Sequence, residues 1–325
     1  MAEKEPVAVL NGDVYVPYEE RTGGESVVYF TRDLSPEGMM KAYEKVNENI
    51  SGRVGVKLHT GEPHGPNIIP SCWVKEFMAK ECPDAVVVEC NTLYPGDRYD
   101  AEKHRETLKV NGWDFCEVDI MDADENHAYL PVSHGKWFDK MSVGGTIDQY
   151  DSWIILTHFK GHPQGGFGGS NKNIGIGAMS GHEGKAWVHG DGNDEPFMER
   201  MVEATKSVTD YFGNKITYVN VMRNMSVDCD CFGVKASPGV TPNVGVLSSL
   251  DICAIDTACV DLVWAMKEED NHDLKERILS RKGLRQLSYM QELGMGNVKY
   301  KLLDLDNDCK EITPAEAVAH VVPFE

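Results

Sequence analysis

A continuous apolar run, Trp153 to Leu156, breaks directly into Thr157-His158-Phe159-Lys160-Gly161-His162-Pro163-Gln164-Gly165-Gly166-Phe167-Gly168-Gly169-Ser170-Asn171-Lys172-Asn173-Ile174-Gly175. The run reads as a buried strand, and seven glycines fall between Gly161 and Gly177. Glycine accepts backbone angles closed to other residues and lets main-chain N–H groups come close to a ligand. Two histidines, two lysines, two asparagines and a glutamine sit among those glycines. A strand that stops in such a loop is how open α/β sheets build their sites. The alternative is a surface turn without chemistry, which has no need of so many donors and ligands.

The pattern recurs. Gly52–His59 is a strand ending in His59-Thr60-Gly61-Glu62-Pro63-His64-Gly65-Pro66, and Ala85–Glu89 is a strand ending in Cys90-Asn91-Thr92-Leu93-Tyr94-Pro95-Gly96. Before them Ser35 caps a helix with Pro36 at its first position, between them Pro70 opens a helix, and after them Asp100 to Val110 reads as a third. Strand, polar loop and helix in alternation predict an α/β fold: a mostly parallel sheet with flanking helices and polar loops gathered at the strand C-terminal edge. His59, Glu62, Asn91, His158 and His162 are expected to converge there. Short strands are expected at Val7–Leu10 and Val27–Phe30, with Asn11, Gly12 and Asp13 in the turn between, and Asp119–Asn126 as an exposed acidic stretch. Gly177–Gly192 continues glycine-rich, carrying His182 and His189. Glu195–Phe212 is a helix, Ile216–Val221 and Val244–Leu247 are strands, and Asp251 caps a further helix. Leu274–Leu279 and Leu284–Leu293 are helices, and Lys299–Leu305 a last strand. The chain is expected to form one α/β unit over 1–325, divisible into two intertwined subdomains of about 1–150 and 151–325.

Acidic residues outnumber basic ones by 52 to 32, a net charge of −20. Such a surface repels phosphate backbones and anionic lipid, so neither nucleic acid nor membrane is expected as partner. With no signal core or run of transmembrane length the expected location is cytoplasmic. Nine scattered cysteines read as reduced thiols. A homo-oligomer is the common default.

The nucleotide-loop readings fail. Lys172 lies between Asn171 and Asn173, which breaks the P-loop pattern, and counting from Gly166 and Gly168 puts Asn171 at the third dinucleotide glycine. No Gly-x-Ser-x-Gly elbow occurs. His182-Glu183 begins a zinc-protease motif, but position 186 is Ala. A Cys–His catalytic pair has no local support in the sequence. His158 and His162, four apart, are candidate ligands for a divalent metal such as nickel, zinc or iron, with His59, Glu62 and His64 nearby. Cys229 and Cys231, beside Asp228 and Asp230, offer a second soft-metal pair. Lys172 in a glycine-walled pocket can act as base or nucleophile, or clamp an anion.

On Val56 to Glu62, Asn91 to Gly96, Thr157 to His162 with Gly166-Phe167-Gly168-Gly169 and Lys172-Asn173, Asp228-Cys229-Asp230-Cys231, and Leu247 to Asp251 with Ala254-Ile255-Asp256, the chain resembles the uncharacterised Fe–S centre protein family, family 362 of the domains of unknown function. The likeness covers nearly the whole length. Many of those relatives carry a cysteine-rich ferredoxin insertion after the segment matching Gly184-Lys185. This chain runs on through His189-Gly190-Asp191-Gly192-Asn193 into a helix and has no Cys-x-x-Cys, so a conventional 4Fe–4S cluster is not expected. The loop from His162 to Lys172 is also similar to that of the nickel-pincer lactate racemase family. That similarity implies His162 as ligand or acid/base and Lys172 as a cofactor attachment point.

Three functions stand open. One is a metal- or cofactor-dependent enzyme on a small anionic metabolite, with Lys172, His162 and His158 in the chemistry and His59, Glu62, Asn91, Lys160, Gly168, Gly169 and Asn173 holding the ligand. The second is an electron-transfer or metal-binding module on Cys229 and Cys231. The third is a non-catalytic binding domain of a redox complex.

Overall fold

Each apolar run that ends in turn residues folds as a strand, and each amphipathic stretch behind it folds as a helix. The computed structural model describes residues 14–190 and 195–323. The expected strand at Val7–Leu10, its turn at Asn11, Gly12 and Asp13, and the segment Asp191-Gly192-Asn193 lie outside them. β1 (Glu25–Thr31) leads to α1 (Pro36–Tyr43), which the Ser35 hydroxyl caps by accepting from the Gly38 N–H. β2 (Val54–Lys57), α2 (Ser71–Glu81), β3 (Val86–Glu89), α3 (Ala101–Val110) and β4 (Val118–Ile120) repeat the alternation. β5 (His127–Pro131) and β6 (Lys140–Gly144) make a separate hairpin before β7 (Ser152–His158).

Beyond β7 the glycine-rich stretch forms a small hairpin, β8 (Lys160–His162) and β9 (Gly166–Gly168), and then α4 (Ser170–Gly175). α5 (Gly184–His189) and α6 (Glu195–Phe212) precede β10 (Ile216–Met222). The chain ends with β11 (Gly245–Ser249), α7 (Ile252–Ala265), α8 (Glu268–Ser280), α9 (Arg285–Glu292), β12 (Lys299–Asp304), β13 (Lys310–Ile312) and α10 (Pro314–Ala317). The Asp251 carboxylate caps α7 by accepting from the Ala254 N–H at 2.9 Å, an interaction worth about 1 kcal/mol.

The main sheet has nine strands in the order β13-β12-β1-β11-β10-β7-β2-β3-β4. Only β11 and β13 run against the others. The alternation of β7 shows how the core divides. Trp153 and Ile155 face one apolar cluster, with α6 and α7 packed over it, while Ile154 and Leu156 face the other, under α1 and α2. Burial on both faces explains why this strand reads as an unbroken apolar run.

One local expectation changes, and the surface-turn alternative for the glycine-rich loop falls. Asp119–Asn126 is not simply an exposed acidic stretch, because Asp122 is buried and accepts the N–H groups of Asn91 and Gly181 at 2.9 and 2.6 Å. The glycine-rich loop is largely buried rather than draped on the surface. Its hairpin packs against α8, and the Gly161 N–H donates to the Ser226 carbonyl at 2.7 Å. A Cβ at Gly161 would lie 2.4 Å from the Val227 carbonyl oxygen. Here glycine is required by close approach of two backbones.

Candidate functional site

β3, β2, β7 and β10 are neighbours pointing the same way, so the loops leaving their C-terminal ends meet. They enclose a cavity of about 920 Å³. His59 and Glu62 enter from the β2 loop, Tyr94 and Arg98 from the β3 loop, Lys160, His162 and Lys172 from the segment after β7, and Cys231 from the segment after β10.

The centre of the site is Cys229, which has no exposed surface and is not itself in the cavity lining, but is ringed by His162, Lys172 and Cys231, which are. Its sulfur accepts from the Cys231 backbone N–H at 3.4 Å and lies 3.7 Å from the Lys172 ammonium. Donor atoms of His162, Cys229 and Cys231 lie within 4.8 Å of one another. A hydrogen bond from the Cys231 thiol, then the Lys172 charge and hydrogen bonds from His162 and His59, hold the Cys229 thiol well below its ordinary value in spite of burial. The Cys231 thiol, which donates that bond and is half-buried, is pushed well above. Low-pKa thiols arise where cations and hydrogen-bond donors face the sulfur.

The two imidazoles are set up alike. His162 Nδ1 accepts from the N–H groups of Gln164 and Gly165 at 3.2 and 2.8 Å. His59 Nδ1 accepts from the Gly61 N–H at 2.9 Å. A neutral ring whose Nδ1 is an acceptor carries its proton on Nε2, so His162 has an Nε2–H to offer the sulfur, whereas His59 Nε2 also faces the Arg98 guanidinium at 3.5 Å. Burial and the Lys172 charge lower His162 to about 4, and burial with Arg98 lowers His59. His162 is therefore a neutral donor near pH 7.

Buried ion pairs brace this centre. His158 faces the Asp230 carboxylate through Nδ1 at 2.9 Å and the Arg223 carbonyl through Nε2 at 2.6 Å. Both His158 nitrogens are thus engaged by protein oxygens, and the expected ligand role would cost the ring one of these bonds. Lys160 joins the same carboxylate at 3.1 Å. Although burial acts the other way, His158 and Lys160 hold Asp230 below the usual carboxylate range. Arg98 donates to Glu62 at 2.8 Å, as does the Tyr94 hydroxyl at 2.7 Å. Lys57 pairs with Glu89 at 2.9 Å, and Lys57 and Arg98 depress that carboxyl against its burial.

α4 is anchored by Asp256, whose two carboxylate oxygens accept the N–H groups of Ser170 and Asn171 at 2.7 and 2.9 Å. A Cβ at Gly169 would meet that carboxylate at 2.4 Å, so Gly169 is needed for the anchor and does not of itself speak for a ligand. The Gly168 position lies against the side chains of Lys172 and Lys160. Asn173 lines the cavity but spends its amide on the Leu156 carbonyl, the Thr157 hydroxyl and Lys57. Asn91 is absent from the cavity lining, and its amide oxygen lies 3.2 Å from His104 Nδ1.

Sequence reasoning joined His59, Glu62, His162 and Lys172 but kept Cys229 and Cys231 apart as a separate pair. It missed Arg98, Lys57, Glu89 and Lys185. The Arg98 signal lay in the turn-rich stretch after β3, and Lys57 and Lys185 were legible only as ordinary lysines.

A conventional 4Fe–4S cluster takes four thiolates, and this site has two. Cys90 also lines the cavity but turns its thiol to the Ala178 carbonyl at 3.6 Å, the other six cysteines lie elsewhere, and His162, Cys229 and Cys231 form the only clustered group of potential metal ligands among the described residues.

A family model described as "Domain of unknown function (DUF362)" matches residues 54–261. No curated protein matches the chain. Among the solved structures that match are the lactate racemase apoprotein from Thermoanaerobacterium thermosaccharolyticum and a structural-genomics protein from Thermotoga maritima. The first is 12% identical with a TM-score of 0.38, over 86% of this chain and 83% of that one. The second is 12% identical with a TM-score of 0.34, over 57% of this chain and 49% of that one. Likeness at that level says nothing about activity.

Proposed function

This chain belongs to the domain-of-unknown-function family DUF362, and from that premise we propose that it is an enzyme acting on a small anionic metabolite in the loop-edge cavity, with the Cys229 sulfur as its reactive centre. The observation that carries this reading is the focus of donors on one buried sulfur: the Lys172 ammonium at 3.7 Å, the Cys231 N–H at 3.4 Å, and the His162 and His59 imidazoles. A thiolate held this way is a nucleophile toward an electrophilic carbon. His162 donates a hydrogen bond from Nε2, His59 stands beside the sulfur with Arg98 behind it, and Lys172 balances charge as it builds or leaves. His158, Asp230, Lys160, Glu62 and Arg98 keep these groups in register. Catalytic sites shift pKa values by this means.

A second reading is favoured by the three donor atoms within 4.8 Å. His162, Cys229 and Cys231 would hold a soft divalent ion such as zinc, nickel or iron, which prefers thiolate and imidazole. Bound there, the ion would supply Lewis acidity. The His162 ring would first have to give up the backbone N–H bonds at Nδ1 or the proton at Nε2, which favours the sulfur-centred reading.

Protein purified without oxygen, and its Cys229→Ser variant, would be incubated with a bacterial metabolite extract and the extract profiled by mass spectrometry. Depletion of a small anion by the wild type alone supports the proposal. Equal profiles from the two proteins sink it. One equivalent of metal that is lost in Cys231→Ser would favour the second reading.

A further inference from the structure

The buried cations that line the cavity differ in how many acceptors they meet. Lys57 spends its three donors on Glu89 at 2.9 Å, the Leu58 carbonyl at 2.8 Å and the Asn173 amide oxygen at 3.2 Å. Lys160 meets Asp230 at 3.1 Å and the His158 carbonyl at 2.9 Å. Lys185 is 5% exposed and meets one acceptor, the Met179 carbonyl at 2.7 Å. No carboxylate lies within ion-pair distance of it among the described residues.

His189, one turn further along α5, also lines the cavity. Its ring stacks near Phe197, with centroids 5.2 Å apart, and has no hydrogen-bond partner among the described residues. Among the described residues Lys172 meets the Cys229 sulfur at 3.7 Å and no other hydrogen-bond or ion-pair partner. Burial and then the charges of Lys172 and Lys185 push His189 down to about 4, so the three groups share one electrostatic neighbourhood. An ammonium taken out of water with most of its donors unmet is costly. A group that accepts from all three would remove that cost.

We propose that Lys185, His189 and Lys172 form the seat for an oxyanion group, carboxylate or phosphate, of the small molecule that the cavity binds. This deepens the reading above and rests on it. A carboxylate or phosphate has the several acceptor lone pairs that two ammonium groups and an imidazole N–H leave open. Ile176, Phe197 and Leu93 also line the cavity and suit an apolar body on the same molecule.

The test is calorimetric titration of the whole protein at low salt with inorganic phosphate and, separately, with oxalate. The wild type is expected to bind one of them, and which one decides between the two oxyanions. Lys185→Gln should weaken that binding by about tenfold or more, the loss expected for a charge-assisted hydrogen bond. His189→Gln should weaken it less, and Cys229→Ser should leave it undiminished or tighter, since the sulfur is not part of the seat and its thiolate no longer competes for the Lys172 charge. Without anion, Lys185→Gln should melt at or above the wild type, because it relieves an under-satisfied cation; a purely structural lysine would give a lower midpoint. If Lys185→Gln binds as tightly as the wild type, the seat is wrong while the cavity reading survives. Binding of neither anion by the wild type removes both. A functioning seat in a protein whose Cys229→Ser variant still depletes the metabolite leaves the seat and removes the sulfur.

Discussion

Lys172→Met should raise the pH at which Cys229 ionises. The ammonium is 3.7 Å from the sulfur and the lysine is 8% exposed. Two unit charges at that separation interact by about 4 kcal/mol at an effective dielectric of about 20, which at about 1.4 kcal/mol per unit caps the effect near three pKa units. Methionine keeps most of the side-chain volume and none of the charge. Water entering beside the thioether and the surviving bonds from Cys231, His162 and His59 reduce the loss, so a rise of on the order of one to two units is expected. The assay is the thiolate ultraviolet absorbance against pH, taken as the difference between each protein and the same protein carrying Cys229→Ser. Lys80→Met, at an exposed lysine paired only with Glu76, is the control and should leave the midpoint in place. An unmoved midpoint in Lys172→Met would refute the view that this ammonium sustains the thiolate, and with it the proposed division of labour in the site.

Lys57→Met should destabilise the fold by about 3–5 kcal/mol in urea, because it strands the buried Glu89 carboxylate; a loss below about 1 kcal/mol would show that Arg98 suffices as its partner. Gly169→Ala drives a Cβ against the Asp256 carboxylate at 2.4 Å and should cost about 1–3 kcal/mol, read as a lower melting midpoint. Burial raises Asp256 from 3.8 to about 6 in the fold. A carboxyl raised in the folded state favours folding below its unfolded pKa, and that advantage is lost as pH climbs through the folded one. The stability of the wild type relative to Asp256→Asn should therefore fall by about 2 kcal/mol between pH 4 and pH 7; a pH-independent difference would contradict the raised carboxyl.

Local pattern carried much of the architecture. The unbroken run in β7, the caps at Ser35 and Asp251, and the alternation of strand, polar loop and helix follow from periodicity and capping chemistry, which act over a few residues. The same alternation was enough to expect the loops after β2, β3 and β7 on one sheet edge. Strand order was beyond it. That β10 lies beside β7, and so carries Cys229 to Lys172 and His162, depends on pairing between segments far apart in the chain. Burial was also invisible: nothing near Lys185 marks it as enclosed with one acceptor, and nothing near Lys57 names Glu89 as its partner. Whether the nitrogens of His158 and His162 are free is settled by which backbone groups reach them, Arg223 in one case and Gln164 with Gly165 in the other. Residue type and spacing along the chain told which chemistries were available; the environment that selects among them is assembled only when distant backbone and charge are packed together out of water.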